Sequence, residues 1–389
     1  MKITAVEVLS ADRFNYVKVQ TDEGLHGIGE LHPASGTSGT PFMPRAGVQF
    51  CAEYLQGKDP LHIEKHWQHM FRRSIFRGGA DLMAAIGALD IALWDIKGKA
   101  CGRPVYELLG GPTRDKVRLY THLAGSTPAT LAAQAKARLA EGFSAVRLYP
   151  FGDFAAADFE EGLGLEDMSF AAMQHHAVER VGAVREAVGP EVDIMIDVVN
   201  RLTPAEAIAV GRALEPFNLY FFEDPIEPEN MDQWEYVAAN VPMPLAMGER
   251  LYTIYQFLDL LNHKGAAFVR PDLSLAGGFT NIKKIAAIAE AHYVGVVPHN
   301  PLSAVLTAAC VQLDAATHNI PLQEYPHDDD SGAKADLVDE PVQRQGGYLL
   351  VSQRPGIGIE LNEEAFARYP PMPYQRTPLI NPDGGLREY

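Results

Sequence analysis

The sequence predicts an α/β chain in which a (β/α)8-type barrel follows a smaller α+β domain. Three observations carry this. Beyond residue 112, short β-rich runs alternate with helical stretches eight times, the rhythm of a barrel. Before that residue, strand-like runs lead into one long helical region. No Gly-x-Gly-x-x-Gly follows the first strand, so the rival, a doubly wound sheet binding a dinucleotide, loses its main support.

Residues 2–9 and 14–20 alternate polar and apolar positions as strands do, and Asp22, Glu23 and Gly24 turn the chain into a third. From about 44 to 109 the pattern is helical, and within 80–99 apolar residues recur three and four apart. Gly110, Gly111 and Pro112 stop it, closing a first domain at 1–112. Barrel strands are expected at 117–122, 145–149, 194–199, 220–223, 245–249, 268–272, 295–299 and 321–324. Helical stretches such as 204–215, 281–292 and 304–315 separate them, and the barrel spans 113–339. Residues 340–389 repeat no such unit and are expected to return to the first domain.

Composition narrows the function. A chain of 389 residues with 47% hydrophobic content suits two domains, or one large barrel with additions. No stretch approaches the roughly 20 apolar residues of a membrane span, and the first residues lack the apolar run of a signal peptide. Cys51, Cys101 and Cys310 are widely spaced and read as buried thiols in a reducing compartment, so the cytoplasm is expected. A net charge of −17 argues against a nucleic-acid partner. It also means that an anionic substrate would need local positive charge, such as a metal ion. Asp328, Asp329 and Asp330 are consecutive and read as a solvated loop rather than a calcium site.

In a barrel, the C-terminal strand ends converge on one mouth. The third, fourth and fifth strands end in Asp197, Glu223 and Glu249, each 26 residues from the next. Three carboxylates packed together repel without a cation, and an all-oxygen set suits a hard divalent ion such as Mg²⁺. The sixth and seventh strands end in Asp272 and His299, 27 residues apart. A carboxylate bonded to an imidazole fixes its tautomer and makes it a stronger base. The eighth strand supplies Glu324, and the second supplies Arg147 and Tyr149 on one face. Arg147 pairs with a substrate carboxylate, orients a proton carrier, or forms a salt bridge to the metal carboxylates. Together these residues describe a metal that binds a substrate carboxylate while a base removes the adjacent proton, the metal stabilising the enediolate.

Several segments carry a family resemblance: the helix at 87–99 (GALDIALWDIKGK), Phe222 to Pro225 (FEDP), Gly248 to Arg250 (GER), Arg270 to Asp272 (RPD), Ala276 to Gly278 (AGG) and Pro298 to Pro301 (PHNP). Through them the chain resembles the enolase superfamily, in the group around mandelate racemase and the acid-sugar dehydratases, nearly end to end. The segment from Asp197 to Pro204 and the tail 363–389 look like mannonate dehydratases; the RPD and PHNP segments look more like galactonate dehydratases. The resemblance implies a first domain that caps the mouth, with loops near 14–40 choosing the substrate. It implies metal ligands at Asp197, Glu223 and Glu249, a base dyad at Asp272 and His299, and assembly as a homo-oligomer. His26 and His32 fall in the capping loops and are candidate substrate contacts.

Two positions depart from the pattern. Sugar-acid dehydratases of both kinds carry His two residues past the first ligand, as acid for the leaving hydroxyl; here that position is Val199. Mannonate dehydratases pair an Arg on the second strand with a Tyr from the next loop, whose counterpart here looks like Phe159. A racemase needs proton carriers on both faces of its substrate, whereas one imidazole can take a proton and return it to a hydroxyl on the same face. The expected reaction is therefore syn dehydration of a sugar acid to a 2-keto-3-deoxy acid. Cycloisomerisation or epimerisation through the same enediolate is the alternative, and a metal-binding, non-catalytic relative is the alternative outside the enzymes. His62, His66 and His69 share a helical face that reads as solvated or interfacial. Ala276 to Gly278 fits either a phosphate cradle or a tight turn.

Overall fold

The computed structural model describes residues 1–34, 40–73, 75–152, 168–372, 379–380 and 384–387. The N-terminal unit is an antiparallel sheet, β1 (Ile3–Ala11), β2 (Phe14–Thr21) and β3 (His26–Glu30), packed on helices α1 (Phe42–Leu55), α2 (Ile63–Arg72) and α3 (Gly79–Cys101). Strand β3 lies against the α3 backbone: a Cβ on Gly27 or Gly29 would come within 2.0 or 2.1 Å of the carbonyl oxygens of Ala92 and Ala88. Helix α3 is buried on nearly every side, sheet on one face and barrel on the other, which is why its sequence is apolar all round.

A short helix, α4 (Val105–Leu108), leads to the barrel. Its strands are β4 (Lys116–Leu123), β5 (Ala145–Leu148), β6 (Asp193–Asp197), β7 (Phe221–Glu223), β8 (Leu245–Met247), β9 (Phe268–Val269), β10 (Gly295–Val296) and β11 (Gln323–Tyr325). Neighbours from β4 to β10 pair parallel in chain order, and β11 pairs parallel with β4. The ring closes where the Val296 amide donates to the Asn319 carbonyl at 2.8 Å. The intervening helices are α5 (Pro128–Ala140), α6 (Phe170–Val188), α7 (Pro204–Leu214), α8 (Met231–Ala238), α9 (Ile254–Asn262), α10 (Gly278–Ala291) and α11 (Ala304–Ala315). Thr127, Thr203 and Thr253 start α5, α7 and α9 with reciprocal capping boxes.

Several ladders stop short of the expected strands. β8, β9 and β10 end two or three residues before Glu249, Asp272 and His299, and only an isolated bridge joins Asp272 to His299. After α12 (Gly332–Asp336) the tail first adds a hairpin to the barrel sheet, β12 (Arg344–Gln345) with β13 (Tyr348–Leu350), and β13 pairs antiparallel with β4. It then crosses to the N-terminal unit, where Ile357 N donates to Asp95 at 2.9 Å and Glu360 meets Lys99 at 2.6 Å.

Three local readings change, and one is decided between its alternatives. Cys101 is exposed, at the C-terminus of α3, while Cys51 and Cys310 are buried. Asp329 is buried, bonded to Lys334 and Thr307, because α12 folds back over it. His66 is also buried: it is bonded to the Asp59 carbonyl and Tyr54 and shares Tyr54 with the stacked His69, so this face packs α2 on α1. The turn at Ala276 to Gly278 starts α10, and its N-terminus is occupied by the Asp90 carboxylate, which accepts from the Thr280 amide at 3.0 Å.

Candidate active site

The barrel interior has an apolar floor of Tyr120, Ala145, Met195, Phe221, Ala246, Val297 and Leu322, with Phe268 packed against it. Side chains two apart on a strand share a face. One step up from this floor, seven strands place His122, Arg147, Asp197, Glu223, Arg270, His299 and Glu324 around the mouth. The fifth strand departs: Gly248, at φ 140°, turns the chain so that Glu249 arrives one residue late.

Asp197 and Glu223 are register partners and so stand level. Arg147 Nη1 sits between acids, 3.1 Å from Asp197, 3.0 Å from Glu223 and 3.3 Å from Glu324. Of its three expected roles, the structure displays the salt bridge to the carboxylates. Arg270 is wholly buried and bridges Glu223 and Glu324, each at 2.5 Å. Glu324 also accepts from the Asn300 amide at 3.0 Å and meets His122 Nε2 at 2.8 Å. Burial works against its charge, but Arg270 and Arg147 hold the Glu324 carboxyl well below its ordinary range. Burial, then Arg147, lowers His122 to about 4, so it is neutral near pH 7.

Asp272 and His299, the expected dyad, are in contact. His299 Nδ1 lies 2.9 Å from Asp272 Oδ2, while Asp272 Oδ1 accepts from the amides of Ser274 and Leu275 at 2.8 and 2.9 Å. With Nδ1–H donated to Asp272, Nε2 is the nitrogen left to exchange a proton, and it faces Glu249 at 3.4 Å. Burial alone would lower this imidazole, but Glu249, Asp272 and Glu324 hold it up at about 9, so it is protonated near pH 7 until a cation offsets those acids and frees it to act as a base. His32 enters from the N-terminal unit: Nδ1 accepts from the Ala34 amide at 2.9 Å, leaving Nε2–H 3.8 Å from Asp272 Oδ2.

A divalent cation fits the acids. Glu223, Asp224 and Glu249 bring ligand atoms within 4.8 Å of one another. Asp224 is 1% exposed, and neither of its carboxylate oxygens has a hydrogen-bond donor among the described residues. An uncompensated buried carboxylate is costly, and a hard cation supplies the missing partner. Burial, with Glu249, Glu223 and Asp197 adding to it, pushes the Asp224 carboxyl well above its usual range. Asp197 is turned partly away, bonded to Arg147 and to the Val199 amide.

Sequence reasoning missed Asp224, Arg270 and His122. Alternation assigns Asp224 to the outer face, but the strand ends at Glu223 and Asp224 takes φ 40°, which swings it inward. Arg270 and His122 had a readable signal, since both stand two residues from an inward aromatic. His26 is corrected: it binds Glu360 at 3.0 Å in a cluster with Lys99, at the far end of β3 from Glu30 and the dyad. Tyr149 is buried edge-on against Phe151. Val199 sits at φ 56°, an unusual state for a β-branched residue. Phe159 and residues 35–39 lie outside the described residues. A cavity of about 640 Å³ lies elsewhere, between α2, α3 and α10, and none of the mouth acids lines it.

Residues 130–365 match the family model described as enolase C-terminal domain-like, and residues 2–110 match the N-terminal domain of mandelate racemase / muconate lactonizing enzyme. The chain belongs to the enolase superfamily. Among curated relatives of this superfamily member, a D-galactonate dehydratase of Variovorax paradoxus is 37% identical over 398 residues, covering 100% of both chains. One from Xanthomonas campestris is 38% identical over 400 residues, again covering 100% of both. An enolase of Agrobacterium radiobacter, solved with sodium and L-malate bound, superposes with a TM-score of 0.89 at 31% identity over 100% of both chains. A mandelate racemase/muconate lactonizing enzyme from Jannaschia gives 0.87 at 28% identity, covering 96% of this chain and 99% of that one. The N-terminal unit is thus the cap of this superfamily fold.

Proposed function

We propose that this chain is a Mg²⁺-dependent hydro-lyase of the cytoplasm that removes water from a sugar acid, with D-galactonate, the acid in its relatives' names, first to be tested. The observation that carries the reading is the Asp272–His299 pair: one imidazole, bonded at 2.9 Å through Nδ1, with Nε2 turned toward the acids. A divalent ion held by Glu223, Glu249 and Asp197, with Asp224 beside them, would supply positive charge opposite the substrate carboxylate. His299 Nε2 takes the proton from the carbon beside that carboxylate. The electrons left on this carbon form a C2–C3 double bond as the C3–O bond breaks. His299 returns its proton to the departing hydroxyl, which leaves as water, and the enol relaxes to a 2-keto-3-deoxy acid. Asp272 keeps the imidazole in one tautomer throughout, and Arg147, Arg270 and Glu324 hold the acids in place.

A second reading has its own support. Val199 stands where the resemblance expects a histidine acid. Cycloisomerisation or epimerisation of a sugar acid or lactone runs on the same first step and needs no water to leave.

The experiment is a panel of hexonates, pentonates and aldarates with Mg²⁺, read for 2-keto acids and for solvent deuterium beside the carboxylate. Dehydration predicts keto acid; isomerisation predicts exchange without it. In His299→Asn both signals should fall by at least roughly 10²–10⁴. Exchange that survives this substitution points to another base and sinks the single-base mechanism. Absence of both signals in the native enzyme across the panel favours a non-catalytic relative.

A further inference from the structure

The cap does more than cover the mouth. Glu30, at the end of β3, is fully buried and takes donors from the start of α11: Ser303 N at 3.1 and 3.2 Å to its two oxygens, Ser303 Oγ at 2.7 Å and Leu306 N at 3.0 Å. Ser303 lies four residues beyond His299. The Glu30 carbonyl accepts the hydroxyl of Ser274, two residues beyond Asp272, and the His32 amide donates to that hydroxyl at 3.0 Å. Helix α3 touches the same loop, since a Cβ on Gly87 would lie 1.9 Å from the Ser274 carbonyl oxygen. One cap residue therefore grips both loops that carry the dyad, through its side chain on one and its backbone on the other.

Proton transfer is sensitive to such grips, because a misplacement of about 1 Å costs about 10²-fold in rate. We propose that Glu30 is a positioning residue: it fixes the loop of His299 against the loop of Asp272, so the base is fully assembled only with the cap docked. This rests on His299 as the base of the proposed reaction. Among the described residues, the Glu30 carboxylate bonds to Ser303 and Leu306 and to none of the mouth acids.

The test compares Glu30→Ala with Glu30→Gln, which keeps an acceptor oxygen. Glu30→Ala should lower kcat by about 10–100-fold while KM and Mg²⁺ affinity stay within about twofold, and Glu30→Gln should recover most of the loss. A fall in melting temperature with kcat per folded molecule unchanged would overturn the proposal. A readout free of substrate is the proton resonance of His299 Nδ1–H, identified by its loss in His299→Asn. It should be protected in the native enzyme and broadened by solvent exchange in Glu30→Ala. An unaltered resonance there overturns the positioning role whether or not any sugar acid is turned over, so a failed substrate panel counts against the dehydratase reading alone. If Glu30→Ala does not fold, Ser303→Ala removes one of the same bonds and should shift both readouts the same way by less; no shift overturns the proposal.

Discussion

Glu223 and Asp224 are consecutive, yet both carboxylates turn toward Glu249, and that depends on one dihedral angle. Asp224 at φ 40° leaves the strand geometry just where Pro225 also ends it. The result is a buried acid with no hydrogen-bond donor among the described residues, beside two others. Its charge opposes folding without metal and aids binding with it. Asp224→Asn should therefore raise the melting temperature in chelator and lower Mg²⁺ affinity at least about tenfold, a loss of about 1.4 kcal/mol. Calorimetric titration and melting curves read the two effects. Unchanged affinity would remove Asp224 from the cation site; a lower melting temperature in chelator would contradict the unpaired-charge account.

The cap's elements dock on the barrel by a repeated device. Asp90 of α3 sits at the N-terminus of α10, and Glu30 at that of α11, where free amides and the helix dipole favour negative charge, although burial outweighs them and raises the two carboxyls to about 7 and about 8. The tail is tied by a different cluster. Glu360 meets Lys99 at 2.6 Å and His26 at 3.0 Å, and Lys99 reaches Asp95 at 2.8 Å. Burial opposes the Glu360 charge, but His26 and Lys99 pull its carboxyl from the ordinary 4.5 down to about 2. A carboxyl whose folded value is depressed stabilises the protein above its unfolded value, and that contribution is lost as pH falls through the folded one. Glu360→Gln should thus melt lower than native at pH 7. The gap should narrow below about pH 4.5 and close near pH 2. A gap that stays constant across this window would mean the cluster adds nothing through charge.

For the whole molecule, the mouth concentrates charge that the rest of a −17 chain does nothing to offset. Among the described residues, Asp197, Glu223, Asp224, Glu249, Asp272 and Glu324 are answered chiefly by the guanidiniums of Arg147, Arg270 and Arg250, with His299 the raised imidazole among them. Binding to the folded state alone stabilises by mass action, about 2.7 kcal/mol at a hundred times Kd. Mg²⁺ should raise the melting temperature and chelator should reverse the rise, and the Glu223→Gln enzyme should show little of either. A rise of equal size in Glu223→Gln would place the ion elsewhere.

Periodicity made the barrel legible, because eight strand-helix units must place their strand ends at one mouth. It also brought Asp272 and His299 to notice, since both end neighbouring strands one unit apart and meet at 2.9 Å. Alternation aimed Arg147 and Tyr149 at one face, yet Arg147 meets the mouth acids while Tyr149, just past the strand, packs on Phe151. What alternation cannot carry is the chain after a strand stops. The inward swing of Asp224 and the late arrival of Glu249 past Gly248 follow from positive φ values in loops. Contacts between distant segments were equally hidden. Glu30 on Ser303, 273 residues away, and His26 on Glu360, 334 away, arise only once the cap packs on barrel and tail. Local sequence sets which face a side chain takes within an element, but the partner across that face is chosen by how the elements dock.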